Sequence, residues 1–321
     1  MINDLFYVAK GEILMTNLEM TIQNYLEFCS FQKRLDKKTL KAYRIDLMQF
    51  YSYCNNLTIT EITPTFLEKY IGTLHTKYKP KTVKRKIASL KAFFHYLEYR
   101  EIIQGNPFNK LQIHFREPII LPKTIPLHTI ELLLKTVYST KKSAKTVYQR
   151  LNALRDVAIF ELLFATGIRI SELCNLSPAD INMYDGTILI YGKGGKERRL
   201  QIGNSNVLEI LNEYFIEFQD EISKCNKFFV NQLGHSLSDQ SVRRLIKKYS
   251  KLAGINLHIT PHMFRHTFAT ALLEADVDIR YIQEMLGHSS INITEIYTHV
   301  ALAKQRDILT TKHPRKNMRV E

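Results

Sequence analysis

This chain of 321 residues has no tryptophan, only four cysteines and no long apolar run. Its cysteines are Cys29, Cys54, Cys174 and Cys225; they form no C-x-x-C pair, which argues against a zinc ribbon or a disulfide framework and indicates core thiols. A membrane span needs about 18 consecutive apolar residues, and no window provides them. Charged residues also interrupt the opening stretch MINDLFYVAKGEILM, where a secretion signal would be apolar. The sequence therefore predicts a soluble, cytoplasmic protein without membrane association.

Acidic residues are scarce relative to basic ones. Lysine and arginine together number 45 against 31 for aspartate and glutamate, which gives a formal net charge of +14 and a pI near 9.5. This excess favours attraction to a polyphosphate such as nucleic acid, although charge alone leaves an anionic lipid surface or no partner open. At this length, and with 45% apolar residues, two domains are more natural than one.

Two stretches near the N-terminus have the apolar periodicity of helices. In TLKAYRIDLMQFYSYC, the predicted buried face consists of Leu40, Tyr43, Leu47, Phe50 and Cys54. In KTVKRKIASLKAFFHYLEY, it consists of Val83, Ile87, Leu90, Phe94 and Leu97. The opposite face of the second helix carries Lys81, Lys84 and Arg85, which indicate either a solvated surface or a helix end placed against phosphates.

A proline-rich stretch separates two halves of the chain. QIHFREPIILPKTIP carries Pro118, Pro122 and Pro126, which disfavour a regular helix and indicate an extended linker. The predicted division is a helical N-terminal domain at 1–113, a linker at 114–126 and a C-terminal domain at 127–321.

The C-terminal half is predicted to be mostly helical with one small sheet. DVAIFELLFATG is apolar nearly all round, which is typical of a buried helix, and Gly167 would end it. TILIY and RRLQI, joined by the glycine-rich GKGGKE, predict a hairpin. Four further helices are predicted at 206–218, 241–254, 261–275 and 278–287.

The second of these four helices has a strongly basic face. Its predicted buried residues are Val242, Leu245, Tyr249 and Leu252. Its predicted outward residues are Arg243, Arg244, Lys247 and Lys248. If the partner is a nucleic acid, most of these cations would contact phosphates and only a few would read bases.

The stretch ITPHMFRHTFATALL contains the first candidate site residues. Thr260 is a suitable N-cap and Pro261 a suitable first residue, so a helix should begin beside His262. His262 and Arg265 are three positions apart on one face, and together with the helix N-terminus they could bind an anion; Phe264, Phe268 and Leu272 would form the buried face.

A metal site is a weaker interpretation of the same stretch. His258, His262 and His266 are spaced by four, but no carboxylate lies between them as in a metalloprotease helix, and Pro261 keeps His258 off the helix. We therefore predict no metal site.

Four motifs follow one another along the C-terminal half of the chain: TGIRISEL, GKGGKER, HMFRHTFATALL and LGHSSINITEIYTHV. In this order and spacing they resemble the four catalytic segments of the tyrosine site-specific recombinases, most closely the Xer-like branch. The N-terminal half resembles the helical core-binding domain of that family, with T-x-x-x-Y-x-x-D-L in its first paired helix and an Asn-Pro at its end. The resemblance implies a mainly α fold: a SAM-like helical domain and a mostly α catalytic domain with a small antiparallel sheet, closing on DNA as a C-shaped clamp.

The resemblance also implies roles for individual residues. Arg169 and Arg265 would clamp the phosphate with His288, and Glu172 would support them. Lys193 would be the acid for the leaving oxygen, His262 the candidate base and Tyr297 the nucleophile. No cofactor is implied. Without the other three motifs, Tyr297 would be an ordinary interfacial aromatic.

Partners follow from the same resemblance. They are double-stranded DNA with an inverted-repeat core site, a homotetramer or a heterotetramer with a paralogue, and an accessory translocase or excision factor. The protein would work at the nucleoid, in chromosome dimer resolution or in integration and excision of a mobile element. Two alternatives stay open at this point: a type IB topoisomerase-like nicking-closing enzyme and a DNA-binding regulator with a vestigial site. The first fifteen residues and 139–150 look longer than is usual in the family, and no role is predicted for them.

Overall fold

The structure is a computed structural model that describes residues 18–55, 57–113, 123–192 and 195–287. The chain divides into two compact units, Met1–Pro118 and Ile119–Glu321. Most of the proposed linker, at 114–122, lies outside the described residues, so the predicted domain boundaries stay a prediction. Within the described ranges, no helix is both long enough and apolar enough to cross a membrane.

Over its described residues, 18–55 and 57–113, the N-terminal unit contains four helices and two short 3-10 turns, at Ile59–Glu61 and Pro107–Lys110. The helices are α1 (Leu18–Phe31), α2 (Lys37–Cys54), α3 (Pro64–Lys77) and α4 (Pro80–Tyr99). Each of the last two begins with proline, which suits a position whose backbone N–H has no partner inside the helix. Asp36 caps α2 by accepting a hydrogen bond from the Thr39 N–H at 2.9 Å.

The predicted apolar faces of α2 and α4 form much of the core of this unit. All five predicted residues of α4 are buried. On α2, Leu47, Phe50 and Cys54 are buried, whereas Leu40 and Tyr43 are half-buried at the margin of the core. The periodicity of the sequence is therefore confirmed in both helices.

The second unit is organised around a buried helix. Its helices are α5 (Leu127–Lys142), α6 (Val147–Thr166), α7 (Ile170–Asn175), α8 (Ser205–Glu217), α9 (Gln219–Cys225), α10 (Asp239–Leu252), α11 (Pro261–Glu274) and α12 (Ile279–Leu286). As predicted, α6 is buried on nearly all sides and ends at Gly167, whose φ of +58° is left-handed. A Cβ at Gly167 would lie 2.8 Å from the Phe268 ring, so the glycine also permits close packing against α11.

A small antiparallel sheet lies between α7 and α8 in sequence. Its order is β1 (Ile181–Asn182), β2 (Thr187–Tyr191) and β3 (Glu197–Gln201), with a 3-10 turn at Pro178–Asp180 before it. Ile188 is opposite Leu200, and Ile190 is opposite Arg198. Three of these four face the core as buried apolar residues, so the position of Arg198 places a charge beside them. The predicted hairpin is confirmed, whereas the short β1 was not predicted.

The structure corrects two details of the predicted helices. Leu252 is 59% exposed because it is the last residue of α10, and Ile246 is buried instead. Phe268 and Leu272 on α11 are only half-buried, because they pack in a small second cluster with α12. Residues 139–150 form the end of α5, a short connection and the first turn of α6.

Candidate active site and nucleic-acid-facing helices

Arg169 is placed by the abrupt end of the buried helix α6. The chain turns at Gly167, and Arg169 becomes the residue that precedes α7. Its Nη1 donates to Glu172 Oε1 at 2.7 Å, and its backbone N–H donates to Oε2 at 3.0 Å. The arginine side chain is still 31% exposed. Glu172 thus holds Arg169 while leaving part of its guanidinium accessible.

Glu172 is buried and has a second arginine partner. Arg198, on β3, donates from Nη1 to Oε1 at 3.0 Å and from Nη2 to Oε2 at 2.7 Å. Burial by itself would raise the pKa of Glu172, but the hydrogen bonds from Arg198 and Arg169 outweigh it and hold the pKa below its ordinary value. The carboxylate is therefore ionised at neutral pH and balances part of the arginine charge.

Arg265 approaches the same place from α11. It is 4% exposed, its Nη1 donates to the Gly167 carbonyl at 3.0 Å, and its Nη2 donates to the Leu286 carbonyl. Burial first, and then the positive charge of Arg169, lower the pKa of Arg265 to about 9. The guanidinium still carries its charge at neutral pH.

His262 lies one helical turn before Arg265, at the surface. Partial burial of its ring lowers the pKa of His262 below 6.5, and the charges of Arg265, Arg243 and Arg169 lower it as well. Its imidazole is therefore neutral at pH 7 and can accept a proton. Thr260 occupies the N-cap position as predicted, but its hydroxyl makes no capping hydrogen bond.

The histidines around His262 border an open cavity. His258 and His266 line it together with Lys123, and its volume is about 330 Å³. Among the described residues, no group of three or more His, Cys, Asp or Glu side chains could hold a metal ion.

Three of the predicted catalytic residues lie outside the described residues: Lys193, His288 and Tyr297. The described residues reach the direct chain neighbour of Lys193 and of His288 on the N-terminal side, Gly192 and Gly287, but no neighbour of Tyr297. Lys193 belongs to the connection between β2 and β3, and His288 directly follows Gly287, which ends α12 in a left-handed conformation. The structure thus brings Arg169, Glu172 and Arg265 together at the end of α12 and leaves the places of the other three as predictions.

The predicted basic face of α10 is exposed. Arg243, Arg244, Lys247 and Lys248 are all exposed, although the Lys248 Nζ lies 3.6 Å from the buried Asp156 Oδ2, and the opposite face of the helix is buried against the core. Arg243 is only weakly held, with Nη2 4.0 Å from Asp239 Oδ2. This surface is suited to several phosphate contacts.

The predicted basic end of α4 is exposed as well. Lys81, Lys84 and Arg85 are all exposed. Arg85 is 46% exposed and pairs with Asp46 of α2, a carboxylate that is 1% exposed. Lys86 is buried, and its Nζ donates to Asp46 Oδ1 at 2.9 Å.

Two segments of the chain match described protein families. Residues 136–304 match the Phage integrase family, and residues 22–101 match the Phage integrase N-terminal SAM-like domain. The chain belongs to the phage integrase family. A tyrosine recombinase of Agathobacter rectalis is 68% identical over 303 residues, covering 94% of this chain and 99% of the relative. The tyrosine recombinase XerC of Thermodesulfovibrio yellowstonii is 35% identical, covering 94% and 98% of the two chains.

Among solved structures, a XerH site-specific recombinase bound to palindromic difH substrate, in a post-cleavage complex, has a similar fold. The TM-score is 0.69 at 21% identity, covering 92% of this chain and 84% of that one. The mainly α fold with a small antiparallel sheet, the family and the enzyme class of tyrosine recombinase, all predicted from the motifs, are confirmed.

Arg198 was missed in the sequence although it lies within GKGGKER. A signal for it was present: on β3 its side chain falls on the same face as Leu200, so a cation occupies an inward position of the strand. Asp46 and Lys86 were missed for a similar reason, because each falls among the apolar positions of its helix.

Proposed function

We propose that this chain is a site-specific DNA recombinase that cleaves and rejoins DNA strands through a covalent 3′-phosphotyrosine link at Tyr297. The observation that carries the proposal is the convergence of Arg169 and Arg265 at the end of α12, directly before His288. A protein with two arginines at one point, one of them 31% exposed, can bind the non-bridging oxygens of a phosphodiester.

Positive charge is what cleavage without a metal requires. A phosphodiester is anionic and repels a nucleophile, and its charge moves onto the non-bridging oxygens as the nucleophile attacks. Arg169 and Arg265, with a hydrogen bond from His288, would stabilise that charge. Removing one such donor from a preorganised site costs about 3 to 4 kcal/mol of transition-state stabilisation.

The attacking tyrosine needs a base. A free phenol has a pKa of about 10, so its anion costs about 4 kcal/mol at pH 7 unless a neighbouring group accepts the proton. The lowered pKa of His262 supports its role as that base, because the neutral imidazole dominates at pH 7.

The proposed step is a transesterification. The Tyr297 Oη attacks phosphorus and the bond to the 5′ oxygen breaks. Lys193 supplies the proton that this oxygen takes up. The 5′-hydroxyl of a partner duplex then attacks the phosphotyrosine and releases the tyrosine, so one ester bond is exchanged for another without ATP.

The same proposal includes the assembly. The DNA would carry an inverted-repeat core site, with the basic end of α4 and the basic face of α10 against its phosphates. Four protomers, of one kind or with a paralogue, would hold two duplexes and pass through a Holliday junction. The biological role would be either chromosome dimer resolution or integration and excision of a mobile element, and the accessory partner would be a translocase or an excision factor. The protein would act on DNA at the nucleoid, in the cytoplasm.

Tyr297→Phe tests the nucleophile. On a nicked suicide substrate that traps the cleaved state, we expect the wild-type chain to form a covalent adduct and Tyr297→Phe to form none, with gel-shift affinity nearly unchanged. Tyr281→Phe is the matched control, because Tyr281 is a 61% exposed phenol on α12. An adduct in Tyr297→Phe would remove Tyr297 from the proposal. Relaxation of supercoiled DNA without any exchange between paired sites would instead favour the topoisomerase-like activity.

A further inference from the structure

Arg198 has no role in the function proposed above, yet it is one of the most completely bonded side chains of the catalytic unit. Only 8% of its side chain is exposed, and all three guanidinium nitrogens donate hydrogen bonds. Two go to Glu172, and the third runs from Nε to the Met285 carbonyl at 2.8 Å. Burying a guanidinium is costly unless it is paired in this way.

The first contact concerns the charge on Arg169. Glu172 is shared by both arginines, and its Oε1 accepts from Arg169 Nη1 at 2.7 Å as well as from Arg198. If Arg198 were absent, this carboxylate would balance Arg169 alone. With Arg198 present, the charge of the carboxylate is already balanced by the buried partner, and the more exposed Arg169 keeps its positive charge for an anion.

The second contact concerns the end of α12. A helix leaves its last carbonyls without partners inside the helix, and these carry the negative end of its dipole. Here three arginines bind three consecutive carbonyls: Arg198 that of Met285, Arg265 that of Leu286, and Arg169 that of Gly287 at 3.3 Å. The end of α12 and the arginines therefore hold each other in place.

Gly287 shows how closely Arg198 packs against this end. A Cβ at Gly287 would lie 2.9 Å from Arg198 Cδ, and the backbone there has φ +63°. Both the contact and the left-handed conformation favour glycine. His288 is the next residue in the sequence, so Arg198 packs against the residue that directly precedes it.

We propose that Arg198 is a positioning residue for strand cleavage. It offsets the charge of Glu172 so that Arg169 stays available to the phosphate, and it holds the carbonyl end of α12 from which the His288 segment continues. This inference rests on the proposed recombinase function.

The test is a set of substitutions that separates charge from packing. Arg198→Met removes the charge and keeps a long apolar side chain; we expect cleavage of the suicide substrate at saturating DNA to slow about 100-fold, as for a displaced catalytic group. Adding Glu172→Gln to Arg198→Met removes the unbalanced carboxylate, and we expect about a tenfold recovery of the rate, since the positive charge of Arg169 is then no longer offset by Glu172. Loss of packing alone predicts no recovery.

Arg198→Lys is the second variant in which the effect of Glu172→Gln is measured. Lysine keeps the charge, but its single ammonium group cannot donate hydrogen bonds to both Glu172 oxygens and to the Met285 carbonyl as the planar guanidinium does. We therefore expect about a tenfold loss of rate. Here Glu172→Gln should bring no recovery, because the carboxylate is still balanced. This variant also serves if Arg198→Met fails to fold, which thermal unfolding would reveal. Arg150→Met is the matched control; Arg150 pairs with Glu217 at the surface and should retain the wild-type rate.

Failure of the inference differs from failure of the function. If the wild-type chain forms no adduct while the DNA is bound, the proposed function fails. If the wild-type chain cleaves and Arg198→Met cleaves equally fast, or Glu172→Gln slows Arg198→Met further, the positioning role is overturned and the recombinase proposal stands.

Discussion

Each unit of this protein contains a buried carboxylate shared between two cations, and the two clusters are built alike. In the N-terminal unit, Asp46 holds Lys86, whose side chain is 3% exposed, and Arg85, which is 46% exposed. In the catalytic unit, Glu172 holds Arg198 at 8% and Arg169 at 31%. In both, the buried cation balances the carboxylate and the exposed cation is presented to solvent.

What surrounds the two clusters differs. Among the described residues, the hydrogen bonds of the Asp46 carboxylate join α2 to α4, and Ser89 provides a third of them at 3.2 Å. The Glu172 cluster joins the start of α7, a strand of the sheet and, through its arginines, the carbonyl end of α12. The same arrangement of charge should therefore serve mainly stability in the first unit and mainly the geometry of a reaction in the second.

The largest expected effect comes from Asp46→Asn. It leaves the Lys86 charge buried without its balancing carboxylate, and we expect a loss of about 3 to 5 kcal/mol in the free energy of unfolding. Urea unfolding followed by circular dichroism measures it. Cleavage at saturating DNA should stay close to the wild-type rate, whereas Glu172→Gln in the other cluster should slow it.

The control for Asp46→Asn is Glu131→Gln, which breaks a pair between two exposed side chains of α5 and should change little. Adding Lys86→Met to Asp46→Asn should restore most of the lost stability. If Asp46→Asn unfolds at the same urea concentration as Glu131→Gln, the N-terminal cluster does not contribute to stability and the comparison fails.

A smaller effect is expected in the pH dependence of cleavage. Partial burial lowers the pKa of His262 below its ordinary value, and the charges of Arg265, Arg243 and Arg169 lower it as well. If neutral His262 is the base, the rate falls as the pH drops through that lowered pKa. Arg243→Gln removes one positive charge and should raise the pKa, which moves the acidic limb to higher pH.

Single-turnover cleavage at saturating DNA, measured between about pH 5 and pH 8, reports this shift. Arg85→Gln serves as the control because Arg85 belongs to the N-terminal cluster, and it should leave the limb in place. If Arg243→Gln leaves the acidic limb of the pH profile at the same pH, the protonation of His262 does not control the cleavage rate.

The smallest effect concerns DNA affinity. If Arg85 contacts one phosphate, Arg85→Gln should reduce the slope of log affinity against log salt by about 1, with a uniform weakening across DNA sequences. Gel shifts at several salt concentrations give the slope. A slope equal to that of the wild-type chain would mean that the exposed cation of this cluster does not face DNA.

Local structure was the part of this protein most readily predicted from sequence. The stripes of α4, the all-round apolar α6 with its end at Gly167, and the hairpin of β2 and β3 follow from periodicity and turn chemistry, which act over a few residues. Errors occurred at helix ends and cluster margins: Leu252 is exposed because α10 stops there, and Phe268 is half-buried because α12 covers it only in part.

For the candidate site as well, one part was predictable from the sequence and another was not. Order and spacing of motifs in the sequence were sufficient to select Arg169, Glu172, His262 and Arg265, and to identify the family. What the tertiary structure decided is which charges meet. Arg198 is 26 residues from Glu172 and 87 from Met285, and Lys86 is 40 from Asp46. A buried charge is stable only with partners, and those partners come from distant parts of the chain, so their pairing depends on the packed fold and not on any local pattern.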